Sequence, residues 1–378
     1  MTHFPGSRTF AAALCAWALL LAALALPPAP RAAQAKGGGR DQDWHVLAPV
    51  SYKNLTIFPV RAADRPGSDA YITLDEGTKA GTVVITEKGG AAARVARPRG
   101  RAARRQSVGY DGGGGDATVN ELALVNRSGR KLLLLAGEVI VGGKQDRIVQ
   151  EDRVVPAVSV PVALDVFCVE HGRWSARDEG RGGAATRRAA REAPAPVKFS
   201  SLGAVAHPAL RAAAQDRKEQ GEVWSEVSKN NAKLGTTNST DTYQEVYSST
   251  RVGAQMEDYM RVLEREVLRP GVVGVVVARN GEPVWADVFA SQRLFAAYWP
   301  KLLKSYVVDA LGDNTSEKRP TADEASRYLR EREGTVSATT QEGVYQLVKT
   351  EQAAYAVFEL RDISLAAPLR LHFNKMDR

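Results

Sequence analysis

Residues 121–150 read ELALVNRSGRKLLLLAGEVIVGGKQDRIVQ, in which four short apolar runs alternate with glycines, charges and amides. Each run has the length of a strand rather than of a helix, and each ends at residues that favour turns. Residues 126–129 (NRSG) predict a hairpin turn between the first two strands, because Asn and Gly tolerate the left-handed backbone of such turns. This part of the chain is therefore predicted to be antiparallel β structure.

The flanking sequence extends this β pattern and then changes to a helical one. The predicted strands are 55–60, 71–74, 82–86, 121–126, 131–135, 139–141, 147–150 and 158–169, followed later by 272–278, 284–288, 344–348, 354–360 and 369–373. Helical periodicity begins at Pro208 and returns at 256–267, 294–311 and 322–332. The predicted class is α+β, with a mostly antiparallel β N-terminal half followed by mixed helices and strands.

The amino terminus predicts export. Arg8 precedes an apolar run from Phe10 to Leu26, and Ala33-Gln34-Ala35 supplies the small residues that signal peptidase accepts. We expect cleavage after Ala35, which yields a soluble periplasmic or extracellular protein with no membrane association. An uncleaved anchor is the alternative, since the apolar run lies at the lower limit of the roughly 17–25 residues that span a bilayer.

The mature chain is predicted to contain one main domain and one extension. Residues 36–44 form a linker, and residues 45–312 form the domain, which combines a β-rich part (45–175) with an α/β part (204–312). Residues 313–378 form an extension of one helix plus strands. The remaining length suits one large domain or two moderate ones.

The positive charge is concentrated in two predicted insertions. The whole chain carries a net charge of +8, and arginines crowd into residues 89–116 and 177–196, which are also rich in Ala and Gly. Such composition predicts solvated loops. The alternative is that the loops bind a polyanion such as nucleic acid, anionic lipid or polysaccharide. We expect no nucleic acid as a partner, because no aromatic residues interleave the arginines and the protein is exported.

One segment combines adjacent glycines with charged and amide side chains. Gly142-Gly143 permits a sharp turn and a close approach of the backbone to a ligand. Lys144, Gln145 and Arg147 then offer donors suited to phosphate, carboxylate or ribose oxygens. Glu138, before the turn, is a candidate general base. The alternative is a hairpin or β-bulge with surface charges.

A second polar segment follows the longest predicted strand, where residues 168–174 read CVEHGRW. Glu170 and Arg173 beside Trp174 suggest a polar site with an aromatic wall. The alternative is an ion pair that caps the strand, with the tryptophan in the core. No metal site is predicted, because His171 has no second histidine at ligand spacing. The cysteine, flanked by apolar residues, is expected to be an inert core thiol.

These motifs resemble those of the ADP-ribosylglycohydrolase and rhodanese-phosphatase associated protein domain, a bacterial family. The matching segments are Gly137-Glu138, residues 143–147 (GKQDR), residues 168–174, residues 220–224 (QGEVW) and residues 298–306 (YWPKLLKSY), which together cover roughly residues 45–312. The sequence departs from the family at Asp146, where Asn is frequent, and in the length of its two basic insertions. The resemblance implies a nucleotide or ADP-ribose-like phosphate compound as the ligand.

Three hypotheses of function follow from the sequence. The first is an exported protein that binds an anionic small molecule and acts on it. The residues assigned to that site are Glu138 and Glu170 for proton transfer and Lys144, Gln145, Arg147, Arg173, Trp174 and Trp224 for ligand binding. The others are a non-catalytic interaction module of the cell envelope and a polyanion binder. The sequence predicts neither a reaction type, a cofactor nor an oligomeric state.

Overall fold

The computed structural model describes residues 44–88, 120–172, 198–313 and 318–378, together with residue 316. The predicted signal peptide, residues 36–43 of the predicted linker, both basic insertions, and the candidate site residues Arg173 and Trp174 lie outside the described residues. All described residues belong to the compact unit that spans 38–378.

Strands outnumber helices in the described part of the chain. The strands are β1 (His45–Val46), β2 (Val50–Tyr52), β3 (Leu55–Arg61), β4 (Tyr71–Ile72), β5 (Val83–Glu87), β6 (Glu121–Asn126), β7 (Lys131–Leu134), β8 (Glu138–Gly142), β9 (Arg147–Val149), β10 (Arg153–Val155), β11 (Val158–Cys168), β12 (Lys198–Val205), β13 (Val272–Arg279), β14 (Glu282–Phe289), β15 (Thr335–Gln341), β16 (Tyr345–Glu351), β17 (Tyr355–Asp362) and β18 (Leu369–Asp377). The helices are α1 (Leu74–Lys79), α2 (Pro208–Ala212), α3 (Gln220–Leu234), α4 (Glu245–Ser248), α5 (Thr250–Val267), α6 (Gln292–Ala310) and α7 (Ala322–Arg330). The predicted α+β class is confirmed.

Six strands of the N-terminal half close into a barrel in the order β11-β6-β5-β12-β8-β9, and all its described pairings are antiparallel. Beside it, β10, β7 and β4 form a small sheet in which β4 runs parallel to β7. Apolar side chains from both sheets, among them Ile85, Leu124, Leu134 and Ile140, pack in one buried cluster. Alternate side chains of a strand point to opposite faces, so Leu132 and Leu134 of β7 enter this cluster, whereas Leu133 packs in a second buried cluster.

The hairpin predicted at residues 126–129 is wrong. β6 pairs with β5 and β11 in the barrel, whereas β7 pairs with β4 and β10 in the other sheet. The chain diverges at the buried Asn126, whose amide donates to the carbonyl oxygens of Arg130 (2.8 Å) and Val155 (3.3 Å) and not across a hairpin to a partner strand. This amide therefore connects the end of β6 to the turn before β7 and to the end of β10.

A second prediction, a strand over residues 71–74, is only half right. β4 ends at Ile72, and Leu74 already begins α1. Thr73 is the N-cap: its hydroxyl accepts a hydrogen bond from Glu76 N (3.2 Å), and the Glu76 carboxylate accepts one from Thr73 N (2.7 Å). This reciprocal capping box overrides the strand-forming tendency of the sequence.

The large sheet joins the two ends of the described chain. Its strand order is β1-β3-β13-β14-β18-β17-β16-β15, and β2 also pairs with β3. The strands of residues 335–377 thus continue the sheet that β3, β13 and β14 begin. Helices α5 and α6 contribute Tyr259, Leu263 and Trp299 to the main apolar core. None of the helices in the described ranges is both long and apolar enough to cross a membrane.

Candidate functional site

The turn after β8 requires its two glycines. Gly142 (φ 122°) and Gly143 (φ 55°) both have positive φ. A Cβ atom on Gly142 would lie 2.9 Å from the Lys198 carbonyl oxygen, and one on Gly143 would lie 2.2 Å from Phe199 Cζ. The turn can therefore pack against β12 only because positions 142 and 143 are both glycine.

Hydrogen bonds join this turn to the end of β11. Gln145 Nε2 donates to the Glu170 carbonyl oxygen (2.8 Å), and Asp146 N donates to Glu170 Oε2 (3.2 Å). Thr242 Oγ1 donates to Asp146 Oδ2 (3.1 Å), which adds a loop that follows α3. The side chains of Gln145, Asp146 and Glu170 are at most 3% exposed. The structure thus brings residues of the two sequence motifs into one buried group.

Arg147 is the first residue of β9, directly after the turn, and is 2% exposed. Its Nη1 donates to Gln145 Oε1 and to the Asp146 carbonyl oxygen, both at 3.3 Å. Its Nε is buried and finds no acceptor among the described residues. An unpaired buried donor costs about 1–3 kcal/mol, so this atom is a point at which a bound oxygen would add stability.

The Cys168 thiol lies near Arg147, which is its partner in the β9–β11 register. Burial raises the pKa of this thiol to about 11, although Arg147 acts to lower it. The group is therefore a protonated thiol at neutral pH, which makes it a poor nucleophile.

Trp224 reaches the same end of β11 through α3. The Gln220 side chain, at the start of α3, both accepts from Cys168 N and donates to Cys168 O at 2.9 Å. One turn later, the Trp224 ring meets the His171 ring edge to face, with centroids 4.4 Å apart. Trp224 Nε1 is buried and has no acceptor in the described part of the chain. The site therefore offers a second unpaired donor.

Lys144 is exposed at the surface of the turn. Its backbone N–H donates to Glu87 Oε1 (3.1 Å), which anchors the turn to β5. The ammonium group therefore extends into solvent from a fixed backbone.

Glu138 makes its contacts away from this group. It is 1% exposed, and its carboxylate accepts from Lys301 Nζ (2.5 Å) and from Leu135 N (2.9 Å). Lys301 Nζ also donates to Asp75 Oδ2 (2.7 Å). Burial raises the pKa of the Glu138 carboxyl, although Lys301 acts to lower it. Burial acts to lower the pKa of Lys301, but the two carboxylates outweigh it and the pKa is raised.

A second buried polar group, here called the Asp287 cluster, was not predicted from the sequence. It consists of Asp152, Arg211, Trp285, Asp287, Tyr306, His372 and Asn374. Arg211 donates to both Asp287 oxygens (2.9 and 3.0 Å). His372 bridges Asp287 Oδ1 (3.0 Å) and Asp152 Oδ2 (2.5 Å). The sequence contains one indication of this cluster. Trp285 and Asp287 in β14 are two residues apart, as are His372 and Asn374 in β18, and this spacing places each pair on one face of its strand.

The Asp287 cluster explains the glycine of the Gly137-Glu138 motif. Gly137 has φ 82°, and a Cβ atom there would lie 2.6 Å from Arg211 Cγ. The guanidinium of Arg211 also lies over the Trp285 ring, 4.8 Å from its centroid. The charged side chains of Arg211, Asp287 and His372 are 0% exposed. We therefore interpret the cluster as a structural element rather than a ligand site.

The charge states of the cluster follow from its contacts. Burial acts to lower the pKa of His372, but Asp152 and Asp287 outweigh it and raise the pKa to about 9. Burial acts to raise the pKa of Asp287, but Arg211 and His372 outweigh it and hold the pKa well below its usual range. At neutral pH, His372 is thus an imidazolium between two carboxylates.

The raised pKa of His372 predicts that the free energy of unfolding falls as the pH rises. Because the pKa of His372 in the folded protein lies above the value of about 6.5 in the unfolded chain, its contribution is complete below pH 6.5. It is lost as the pH rises through about 9, with a total on the order of 3 kcal/mol. Urea unfolding between pH 6 and 9 measures this slope. The slope should be smaller in His372→Gln, and an equal slope in both proteins would contradict the assignment.

Within the described ranges, no group of three His, Cys, Asp or Glu side chains is arranged to hold a metal ion. A model of the ARG and Rhodanese-Phosphatase-superfamily-associated Protein domain matches residues 43–363. No curated protein and no solved structure matches the chain.

Proposed function

We propose that this chain, which belongs to the ARG and Rhodanese-Phosphatase-superfamily-associated Protein domain family, binds a small anionic molecule. The binding site lies where the turn after β8 meets the end of β11. The observation that carries this proposal is the pair of buried donors Arg147 Nε and Trp224 Nε1, which have no acceptor among the described residues. Other buried atoms within the described ranges also lack a partner, among them Arg211 Nε in the Asp287 cluster. Arg147 and Trp224 are distinguished by their position, because Cys168 pairs with Arg147 in the strand register and with Gln220 of the helix that carries Trp224. Both donors then favour an oxygen-bearing ligand at this end of β11.

The chemistry of the two donors narrows the ligand class. A guanidinium has donors and no acceptor, and it matches the geometry of phosphate and carboxylate groups. Gln145 Oε1 accepts from Arg147 Nη1 (3.3 Å) and thereby positions the guanidinium. The exposed Lys144 supplies a second positive charge at the surface of the same turn. ARG in the family name stands for ADP-ribosylglycohydrolase, so nucleotides and ADP-ribose-like compounds are the first ligands to test.

We assign proton transfer in any reaction of this ligand to Glu170 rather than to Glu138. Glu170 Oε2 accepts from Asp146 N (3.2 Å) within the turn that carries Arg147. Glu138 accepts from Lys301 Nζ at 2.5 Å. If Glu138 moved away, the buried ammonium group of Lys301 would lose one of its carboxylate partners, which is unfavourable.

Export remains part of the proposal. Ala33-Gln34-Ala35 follows an apolar run in the sequence. Amino-terminal sequencing of the protein recovered outside the cytoplasm should begin at Lys36, and a mature protein that retains Met1 would contradict cleavage.

Loss of either donor is expected to weaken ligand binding. Thermal shift of the purified protein against ADP-ribose, NAD, nucleotides, sugar phosphates and anionic polysaccharides identifies the ligand. A compound at about 100 times its dissociation constant stabilises by about 2.7 kcal/mol. Trp224→Phe removes the Nε1 donor and keeps the aromatic body, and it should reduce affinity about tenfold, or about 1.4 kcal/mol. Arg147→Lys, which loses the guanidinium fork, should reduce affinity at least as much.

Arg261→Lys is the matched control, because Arg261 is an exposed side chain that pairs with Asp258 on the surface of α5. It should leave binding unchanged. If no compound in the panel shifts the melting temperature, the interaction-module hypothesis replaces this one. If a compound binds equally to the Trp224→Phe and Arg147→Lys variants, the binding site lies elsewhere.

A further inference from the structure

The large sheet ends in a long edge strand. β15 (Thr335–Gln341) has seven residues and pairs only with β16 among the described strands. The other edge strands of the described sheets, β1, β2, β4 and β10, have two or three residues each, and the barrel has no edge. Short edges and closed barrels are common ways in which proteins avoid unwanted strand pairing. β15 is therefore the one long open edge in the described part of the chain.

The sequence of β15 also lacks the usual protections of an edge. Residues 335–341 read TVSATTQ, with no charged residue, no proline and no glycine. All seven pair with β16 in a regular register, so no β-bulge twists the strand away. All seven are exposed, although their side chains alternate between the two faces of the sheet. A long, flat and neutral edge of this kind favours pairing with another strand.

Hydrogen bonds at the two ends of the β16–β17 pair show which way the backbone of β16 faces. Gln352 N donates to the Tyr355 carbonyl oxygen (2.9 Å), and Ile363 N donates to the Val344 carbonyl oxygen (3.1 Å). Both bonds continue the register of the two strands. Bonding directions alternate along an antiparallel strand, so the even-numbered residues of β16 bond to β17 and the odd-numbered residues bond to β15.

The outward-facing groups of β15 follow from this alternation. The odd-numbered residues of β15 lie opposite the odd-numbered residues of β16, for example Ser337 opposite Lys349. The backbone N–H and C=O groups of Val336, Ala338 and Thr340 therefore point away from β16. None of these groups bonds to another part of the described chain. The edge thus presents a row of free donors and acceptors to solvent.

We propose that β15 pairs with β15 of a second copy of this chain, antiparallel and across a two-fold axis at Ala338. In this register Ala338 lies opposite Ala338 of the second copy, and Val336 lies opposite Thr340 of the second copy. Each outward N–H then meets a C=O across the axis, and the large sheets of the two copies become continuous. None of these residues belongs to the anion site proposed above.

The chemistry of β15 fits a second copy because the strand is complementary to itself. A two-fold axis places each residue opposite a residue of the same strand, so a charged strand would meet its own charge, whereas β15 has none. Val336 and Thr340 are both β-branched, which is favourable for a pair across strands. The charged residues of the adjacent β16, Lys349 and Glu351, pair with each other at 2.8 Å. β16 therefore adds no net charge beside the edge.

Sedimentation velocity of the purified protein tests this pairing. One pair of edge strands is a small interface, so we expect monomer at about 1 µM and dimer at about 200 µM. Ala338→Lys places two ammonium groups opposite each other at the axis and should weaken dimerisation about tenfold or more. The exposed Ala353→Lys, between β16 and β17, adds the same charge outside β15 and should leave the dimer unchanged. A protein that stays monomeric at the highest concentration would overturn the inference.

A mixture of opposite charges tests the register. Ala338→Glu alone should also weaken the dimer, because two carboxylates then face each other. An equimolar mixture of Ala338→Lys and Ala338→Glu should form a heterodimer, since the ammonium and the carboxylate attract across the axis. Both variants should fold, as circular dichroism can verify, because Ala338 is exposed. Single variants that dimerise like the original protein, or a mixture that stays monomeric, would overturn the inference. Arg147→Lys should leave the dimer intact, so this test is independent of the anionic-ligand proposal.

Discussion

Replacement of Asp287 by alanine is expected to lower the free energy of unfolding by about 3–5 kcal/mol, a large fraction of the roughly 5–15 kcal/mol that stabilises an ordinary domain. Asp287 accepts hydrogen bonds from Arg211 at 2.9 and 3.0 Å and from His372 at 3.0 Å, and all three side chains are fully buried. Without the carboxylate, the guanidinium has lost its charge partner inside the protein. The imidazolium keeps only Asp152.

Urea unfolding followed by circular dichroism measures this loss. Asp258→Ala is the matched control, because Asp258 is 43% exposed and pairs with Arg261 on the surface. It should change stability by less than about 0.5 kcal/mol. Asp287→Asn keeps the shape of the side chain and should cost less than the alanine variant, which keeps the comparison measurable if Asp287→Ala does not fold. A cost below about 1 kcal/mol for Asp287→Ala would show that the cluster does not stabilise the fold.

Replacement of Lys301 by methionine is expected to cost about 3–5 kcal/mol. Lys301 is 3% exposed and is the cation shared by Glu138 (2.5 Å) and Asp75 (2.7 Å). Methionine fits the space but leaves Glu138, which is 1% exposed, without its counter-charge. The carboxyl then remains buried as an uncompensated charge or takes up a proton, and both outcomes reduce stability.

A double-mutant cycle separates the charge pairing from the packing. Glu138→Gln in the Lys301→Met background removes the uncompensated charge, so the double variant should regain about 2 kcal/mol relative to Lys301→Met alone. The control is Lys229→Met, since Lys229 is 65% exposed and pairs with Glu226 along α3. It should be nearly neutral. Additive costs of Lys301→Met and Glu138→Gln would contradict direct coupling between the two side chains.

Patterns confined to single segments predicted the fold class correctly. Short apolar runs such as 121–126 and 158–169 correspond to the strands β6 and β11, and the spacing of Met256, Leu263 and Val267 marks one face of α5. Prediction failed where a side chain formed a long-range bond. Asn126 is a residue typical of hairpin turns, yet its amide binds the Val155 carbonyl oxygen of β10, and β7 pairs with β10 rather than with β6. That bond spans 29 residues and has no local signature.

Part of the candidate site could also be predicted from the sequence. The glycine pair 142–143 and the donors Gln145 and Arg147 are adjacent in sequence, and Glu170 contacts them because β9 pairs with β11. Trp224 reaches this region through the Gln220 contact with Cys168. Glu138 is also near in sequence, but its carboxylate pairs with Lys301. Sequence proximity did not predict that pairing, because Lys301 lies 163 residues away.

Local sequence was thus sufficient for the class of fold, the position of the turn and the membership of the family. Strand periodicity and glycine conformation depend on residues within a few positions of one another, so a single chain displays them directly. The partners of buried charges were settled by long-range packing: Asp287 collects donors from α2, α6, β14 and β18, and none of these elements alone indicates the others. The physical reason is that the free energy of a buried charge depends on the groups that replace its water, and those groups come together only in the folded protein.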